Sequence, residues 1–304
     1  MSSPRIIAVG SVNTDLVIRV PRLPRPGETV LGGEFLQAAG GKGANQAVAA
    51  ARASRDPVAF VAAVGDDPFG QQSLKQLAAE NLDLRGVRII PGVASGVAQI
   101  VVDAKGENAI AVAPGANAAL RPADLDALPE GFWTGAAVLV VCLEIPLDTV
   151  AHALERAKRA GLITVLNPAP AGALRERLEL LELVDVLTPN ELEAAELIGE
   201  SSDDPSAAAA RLRQLGARDC IVTLGAAGCL VAGDRVERCP AMKVRVVDTT
   251  AAGDAFTGAL AVALAEGRNL ADAARFANRA AALAVTRAGA QPSLPSRAEI
   301  ESLV

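Results

Sequence analysis

The stretch Asp248-Thr249-Thr250-Ala251-Ala252-Gly253-Asp254 joins a short strand, expected to end near Val247, to an apolar-periodic helix. Backbone N–H groups at such a helix start have no partner, and the helix dipole favours negative charge there. Small side chains at 251 to 253 let an anion approach the backbone closely. Asp254 stands in the same first turn. An ionised carboxylate in that place can accept a hydroxyl proton during phosphoryl transfer. The same residues also suit an ordinary helix start with an acidic first-turn residue.

A second segment, Ala39-Gly40-Gly41-Lys42-Gly43-Ala44-Asn45, is not a Walker A loop, because Gly43 follows Lys42 where Ser or Thr is needed. It is not G-x-G-x-x-G either. Its glycines let a ligand approach the backbone, and Lys42 and Asn45 can hydrogen-bond that ligand. A tight strand-to-helix turn is the plainer alternative. Asn13 and Asp15 follow the first strand, and Glu144 follows a strand over 136–141. Open α/β sheets bind ligands at such carboxyl ends, where these polar groups can read the hydroxyls of a small polyol. Each taken singly also suits a cap or a turn. Thr223-Leu224-Gly225-Ala226-Ala227-Gly228 ends another strand and suits either a nucleotide or a hairpin turn. Asn190 suits an N-cap, with Glu193 at N3 closing a capping box; the pair can instead orient water around a metal-bound phosphate.

These segments need a scaffold, and the hydrophobic pattern supplies one. Apolar runs at 5–10, 58–64, 136–141, 163–166, 184–187 and 220–224 read as buried parallel strands. Helical patterns at 44–53, 69–79, 147–160, 174–181, 190–198, 205–215, 252–265 and 270–285 alternate with them. Such alternation predicts an α/β three-layer sandwich around a mostly parallel sheet. Strand-like pieces at 15–20 and 29–35, and a hairpin over 97–102 and 108–112, interrupt it. They read as a small β-sheet lid built from two insertions, 13–37 and 94–114, on a core of 1–12, 38–93 and 115–304. Edge hairpins of the main sheet are the alternative.

The chain has 304 residues, 51% hydrophobic and 21% charged, which excludes a disordered protein and allows a sizeable core. A net charge of −6 and 2% aromatic residues disfavour nucleic acid as a partner. No apolar run approaches the roughly 18 residues that span a bilayer, so no membrane is expected. The start does not read as a signal peptide. Cys142, Cys220, Cys229 and Cys239 form no CxxC pair and read as reduced thiols of a cytoplasmic protein. The only histidine, His152, lies on an amphipathic helix and reads as structural, so a histidine triad or multi-histidine metal site is excluded.

Taken in order, these segments resemble the ribokinase group of the PfkB carbohydrate kinase family over essentially the whole chain. The most specific stretches are Gly40-Gly41-Lys42-Gly43-Ala44-Asn45-Gln46 and Asp248 to Asp254, with the Asn-x-x-Glu element at Asn190 to Glu193. The resemblance implies ATP-dependent phosphorylation of D-ribose at its 5-hydroxyl. It implies Asp254 as base, and backbone N–H groups of Ala251, Ala252, Gly253 and Asp254 as an anion hole for the γ-phosphate. Asn13, Asp15, Gly41, Lys42, Asn45 and Glu144 are implied to bind the sugar. Asn190, the turn from Thr223 through Leu224, Gly225, Ala226 and Ala227 to Gly228, and Asn278 are implied to border the nucleotide. Mg²⁺ is implied to arrive with ATP and to be helped by Glu193 through water. K⁺ is implied beside the anion hole, with oxygens from Asp248, Thr250, Ala284, Arg287, Gly289 and Ser293. The lid is implied to form a homodimer contact.

Phosphoryl transfer needs positioning and electrostatics more than covalent help, so the lack of a histidine site is no obstacle. Three other readings compete. A sibling kinase acting on deoxyribose, another sugar or a nucleoside would differ by a few hydrogen bonds. A catalytically silent sugar sensor would be favoured by loss of Asp254 or Gly253, and both are present. A Rossmann dehydrogenase lacks its fingerprint.

Overall fold

The computed structural model of the protein describes residues 5–200 and 204–303. The chain opens with β1 (Arg5–Val9), β2 (Asn13–Arg19) and β3 (Phe35–Gly40), followed by α1 (Lys42–Ala53) and β4 (Val58–Gly65). Next come α2 (Pro68–Leu77), β5 (Leu82–Ile90), β6 (Gly96–Val102) and β7 (Asn108–Ala113). The short helices α3 (Pro122–Asp126) and α4 (Glu130–Trp133) lead to β8 (Ala136–Cys142), α5 (Leu147–Arg159) and β9 (Ile163–Asn167). Then follow β10 (Val186–Leu187), α6 (Glu191–Ile198), α7 (Pro205–Gln214), β11 (Asp219–Thr223), β12 (Cys229–Ala232) and β13 (Val236–Cys239). Helices α8 (Ala252–Ala265), α9 (Leu270–Ala284) and α10 (Arg297–Ser302) close the fold.

Among the described residues the strands form two sheets. Nine stand in the order β13-β12-β11-β10-β9-β8-β1-β4-β5, all parallel except β12, which runs antiparallel to both of its neighbours. Both faces are covered, so successive side chains of β1 serve two cores: Ile6 and Ala8 pack with α1, α8 and α9, whereas Ile7 and Val9 pack with α5 and its neighbours. This is why such strands are apolar throughout instead of alternating. The mostly parallel three-layer sandwich read from the sequence is thus the architecture observed.

The second sheet has the order β3-β2-β6-β7. It is mixed, since β2 runs parallel to β6 while the outer pairs are antiparallel. The strand expected at 29–35 lies later, at Phe35–Gly40. Register explains the shift: Ile18 pairs with Phe35 and Asn13 with Gly40, so the Gly32-Gly33 stretch falls in the connection. Strand β5 escaped the sequence reading because it is an edge strand with exposed residues and two arginines, Arg85 and Arg88. The helix expected at 174–181 is a 3₁₀ segment, Gly172–Leu183, broken at Arg177 by non-helical angles. No strand ends near Val247; the chain from Pro240 to Thr250 is irregular. No helix among the described residues is long and apolar enough to cross a membrane.

Candidate active site

Helices α1 and α8 bring together the two segments singled out in the sequence. Both are rich in alanine, and Gly258 lies where α8 meets the backbone of α1. Asp254, in the first turn of α8, is buried, and each of its carboxylate oxygens has a donor. Asn45 Nδ2 donates to Oδ2 at 3.0 Å, and Gln46 Nε2 donates to Oδ1 at 3.0 Å. Burial raises the pKa of Asp254; Lys42 and the two amide donors oppose the rise. Asn45 Oδ1 is buried without a hydrogen-bond partner. An orphaned acceptor in this place is costly unless a ligand donor meets it.

The start of α8 is unusual. Its N-cap, Ala251, has φ 59° and is the one non-glycine residue with positive φ among those described. No side chain caps the helix. Ala255 N–H bonds to Ala251 O, and Ala252 N–H makes a long 3.3 Å bond to Thr249 O. The N–H groups of Gly253 and Asp254 fall in the turn that has no intrahelical acceptor. A strained residue at an uncapped helix start is a common mark of a ligand site.

Asp254, Gly253, Ala252 and Ala251 line a cleft of about 400 Å³ with Lys42, Asn167, Thr188, Asn190, Glu193, Thr223 and Gly225. The cleft continues through Thr223, Gly225, Thr249, Ala252 and Gly253 into an apolar pocket of about 490 Å³ walled by Val244, Phe256, Ala281 and Val285. Ala226, Gly228 and Asn278 also border this pocket. Leu224 and Ala227 of the same turn line neither space. The side-chain nitrogen of Asn278 is held by Cys239 O at 3.1 Å. Asn190 caps α6: its Oδ1 accepts from Glu193 N–H at 2.8 Å, and Glu193 Oε2 accepts from Asn190 N–H at 2.9 Å. Burial raises the pKa of Glu193, against Asn190 N–H and Lys42.

Asp15, Lys42 and Glu144 lie close enough to Asp254 for their charges to act on one another, and Asn13 and Gly41 adjoin them. Gly41 has φ 90°, and a Cβ there would meet Asn13 N at 2.7 Å. Glu144 Oε2 accepts from Ser11 Oγ at 2.5 Å and from Lys42 N–H at 3.0 Å. Asn13 Oδ1 accepts from Asn117 Nδ2 at 2.8 Å. That bond turns the Asn13 amide so that its nitrogen is the group left to donate. Burial, together with the charges of Glu144 and Asp254, pushes the Asp15 pKa up to about 6. Burial pulls Lys42 down, yet the carboxylates of Asp254, Glu144 and Glu193 outweigh it and the net shift is upward.

Asp248 anchors the loop before α8. Its Oδ1 accepts from the Thr250 N–H at 2.9 Å and hydroxyl at 2.7 Å, and its Oδ2 accepts from Gly289 N–H at 2.8 Å. Burial acts against these bonds, but they hold its pKa below the ordinary range. Of the other residues implied for the cation, Ala284 O accepts from Arg287 N–H, and Ser293 Oγ donates to Ala290 O. His152, on α5, pairs with Asp126 at 2.8 Å and lines neither the cleft nor the apolar pocket. The four cysteines are buried and free, and burial pushes the thiols of Cys142, Cys220 and Cys229 up to about 12.

Ser11, Gln46, Asn117 and Asn167 are polar residues of this region that received no role from the sequence. Their partners lie far along the chain, 104 to 208 residues away in the case of Asn117 with Asn13 and Gln46 with Asp254. Only Gln46 carried a signal, as the last residue of the glycine-rich stretch.

A fold of this kind, with an uncapped helix start beside a buried carboxylate, belongs to a class of sugar kinases. The family described as "pfkB family carbohydrate kinase" matches residues 3–297, and the chain belongs to that family. It is a phosphotransferase. A ribokinase of Haemophilus influenzae is 41% identical, the match covering 97% of this chain and 96% of the relative. A deoxyribokinase of Salmonella typhimurium is 38% identical, covering 96% and 95%. A ribokinase structure from Thermotoga maritima has a TM-score of 0.89 at 37% identity, with 99% of each chain covered. One from Arabidopsis thaliana, complexed with ribose and ATP, has a TM-score of 0.88 at 32% identity, covering 100% of this chain and 99% of that one.

Proposed function

We propose that the protein transfers the γ-phosphoryl group of ATP to the 5-hydroxyl of D-ribose, giving D-ribose 5-phosphate. The observation that carries this reading is the buried Asp254 carboxylate, held by Asn45 and Gln46 in the first turn of an uncapped helix that lines the cleft. Asp254 takes the proton from the sugar hydroxyl as the oxygen attacks phosphorus. Its raised pKa makes it a stronger base than an exposed aspartate. The N–H groups of Gly253 and Asp254, with Ala251 and Ala252 shaping the turn, face the charge that develops on the γ-phosphate oxygens. Lys42 adds positive charge on the same cleft.

Asn13 donates through its oriented amide, and Asn45 Oδ1 accepts. Asp15 and Glu144 accept further sugar hydroxyls, and Gly41 lets the ring approach the backbone. The adenine lies in the apolar pocket beside Gly225, Ala226, Gly228 and Asn278, with Thr223 and Asn190 toward the phosphates. Leu224 and Ala227 shape that turn from outside. Mg²⁺, bound with ATP, neutralises charge on the β- and γ-phosphates. Glu193 fits such an ion through water: it lines the cleft, and its other role engages only one oxygen in the helix cap. A K⁺ site fits the oxygens of Asp248, Thr250, Ala284, Arg287, Gly289 and Ser293. Their two loops are tied by Val247 N–H to Val285 O at 2.8 Å and by Gly289 N–H to Asp248.

The four-stranded sheet is the lid that excludes water from the reaction. Its register aligns Leu36, Val17, Ile100 and Ile110 in a cross-strand row on the face that also carries Asp15. Leu36 and Ile110 are exposed, which supports a homodimer contact through the lid. Buried free thiols support a cytoplasmic location.

The deoxyribokinase relative favours one second reading, phosphorylation of deoxyribose. A coupled ATP assay with K⁺ and Mg²⁺ over ribose, deoxyribose, fructose and nucleosides tests both. Preference for ribose in kcat/KM is expected. Preference for another acceptor would overturn the ribose assignment, and sugar binding without turnover would revive the sensor.

A further inference from the structure

Gln46 closes the glycine-rich stretch, yet it has no part in the chemistry described above. Its side chain is 1% exposed, so it cannot touch a substrate. Both hydrogens of its amide nitrogen are committed: one to Asp254 Oδ1 at 3.0 Å, the other to Asn167 Oδ1 at 3.0 Å. Asn167 is held in turn, its Nδ2 donating to Thr188 O at 3.0 Å. These bonds form a buried chain from the ends of β9 and β10 to the carboxylate. Asn45 holds the other carboxylate oxygen from the same helix, α1.

We infer that Gln46 is a positioning residue for the base: it fixes the rotamer of Asp254 through Oδ1 and leaves Oδ2, beside Asn45, to face the sugar hydroxyl. The inference rests on the reading of Asp254 as the base. Two consequences follow from the geometry. First, a buried carboxylate with only one donor is free to turn away from the line of attack, which costs rate more than binding. Second, Gln46 donates to the charged form of Asp254, so its removal favours the protonated form and raises the pKa of the base. Other charges facing this carboxylate are Lys42 on α1, which opposes protonation, and Glu144 after β8, which favours it. Asp15 on β2, Glu193 on α6 and the Cys142 thiol at the end of β8 are coupled to it as well.

The test is the pH dependence of kcat for Gln46→Met and Gln46→Glu, with sugar affinity measured by calorimetry. In Gln46→Met, kcat is expected to fall roughly 10- to 100-fold with sugar affinity changed less than about threefold. The acid limb of the kcat profile is expected to move up by about one pH unit. Gln46→Glu places a second carboxylate beside the first and is expected to move the limb further. Asn167→Ala leaves Gln46 in place without its second anchor and is expected to move it the same way, by less. An unmoved acid limb in all three variants overturns the inference, as does a loss of sugar affinity that matches the loss of kcat. If Asp254→Asn is inactive while the limbs do not move, the base reading stands and only the role of Gln46 fails. If Asp254→Asn turns over normally, the base reading itself fails.

Discussion

Gly258 of α8 lies against Ala49 of α1 so closely that a Cβ on Gly258 would stand 2.6 Å from the Ala49 Cβ, with Gln46 O at 2.7 Å. Gly258 is one helical turn beyond Asp254, and Ala49 one turn beyond Asn45. The close approach therefore delivers the carboxylate to its two amide donors. Gly258→Val must push the helices apart. It is expected to cost about 1–3 kcal/mol of stability and to lower kcat more than it raises KM. Thermal melting and steady-state kinetics check this; an unchanged melting temperature with normal kcat would show that the contact does not set the site.

Asp15 carries a cost in the folded state. Its pKa is pushed up to about 6 from an ordinary 3.8, so the folded protein binds the proton more tightly than the unfolded chain. Between those two values stability falls as pH rises, and above about 6 the full penalty is present. Asp15→Asn is expected to raise stability at pH 7.5 by about 1–3 kcal/mol, the gain vanishing below pH ~4. Sugar affinity is expected to fall in the same variant. Denaturant melts at the two pH values check the sign; a destabilised variant at pH 7.5 would contradict it.

Much of this was legible in the sequence because the strands are apolar on both faces and the helices carry clear periods. The two segments around Lys42 and Asp254 were legible because runs of glycine and small residues stand there beside a charged side chain, although Gly40, Gly41 and Gly43 also pack tightly against Asp15, Asn13 and Ser11. The missed strand β5 is an edge, where burial imposes no pattern. The offset of β3 follows from pairing with β2, which no local propensity encodes. Ser11 and Asn117 were invisible for the same reason: each matters through a partner more than a hundred residues away. Asn190 was legible as a cap because its partner, Glu193, is local.

A Cβ on Gly253 would meet nothing within 4 Å, and the residue lines both the polar cleft and the apolar pocket. Gly253→Val therefore has room in the free protein and no room once a phosphate is bound. Its melting temperature is expected to change by less than the equivalent of about 1 kcal/mol, while kcat/KM for ATP falls at least about 100-fold. Near-normal turnover would remove the anion hole from this turn.

The loop anchored by Asp248 is expected to make activity depend on a monovalent cation. Replacing K⁺ by tetramethylammonium is expected to lower kcat roughly tenfold, and Asp248→Ala is expected to lose both the loop anchor and that response. Equal rates in the two salts with the unaltered protein would sink the cation site.

Asp254, the proposed base, acts on a sugar that it does not bind alone. Asp254→Asn keeps the size of the side chain and removes the charge. Turnover of ribose is expected to fall about 10²- to 10⁴-fold, while calorimetry shows ribose binding within about tenfold of the unaltered protein. Retained turnover, or a loss of binding that accounts for the whole loss of rate, would contradict it.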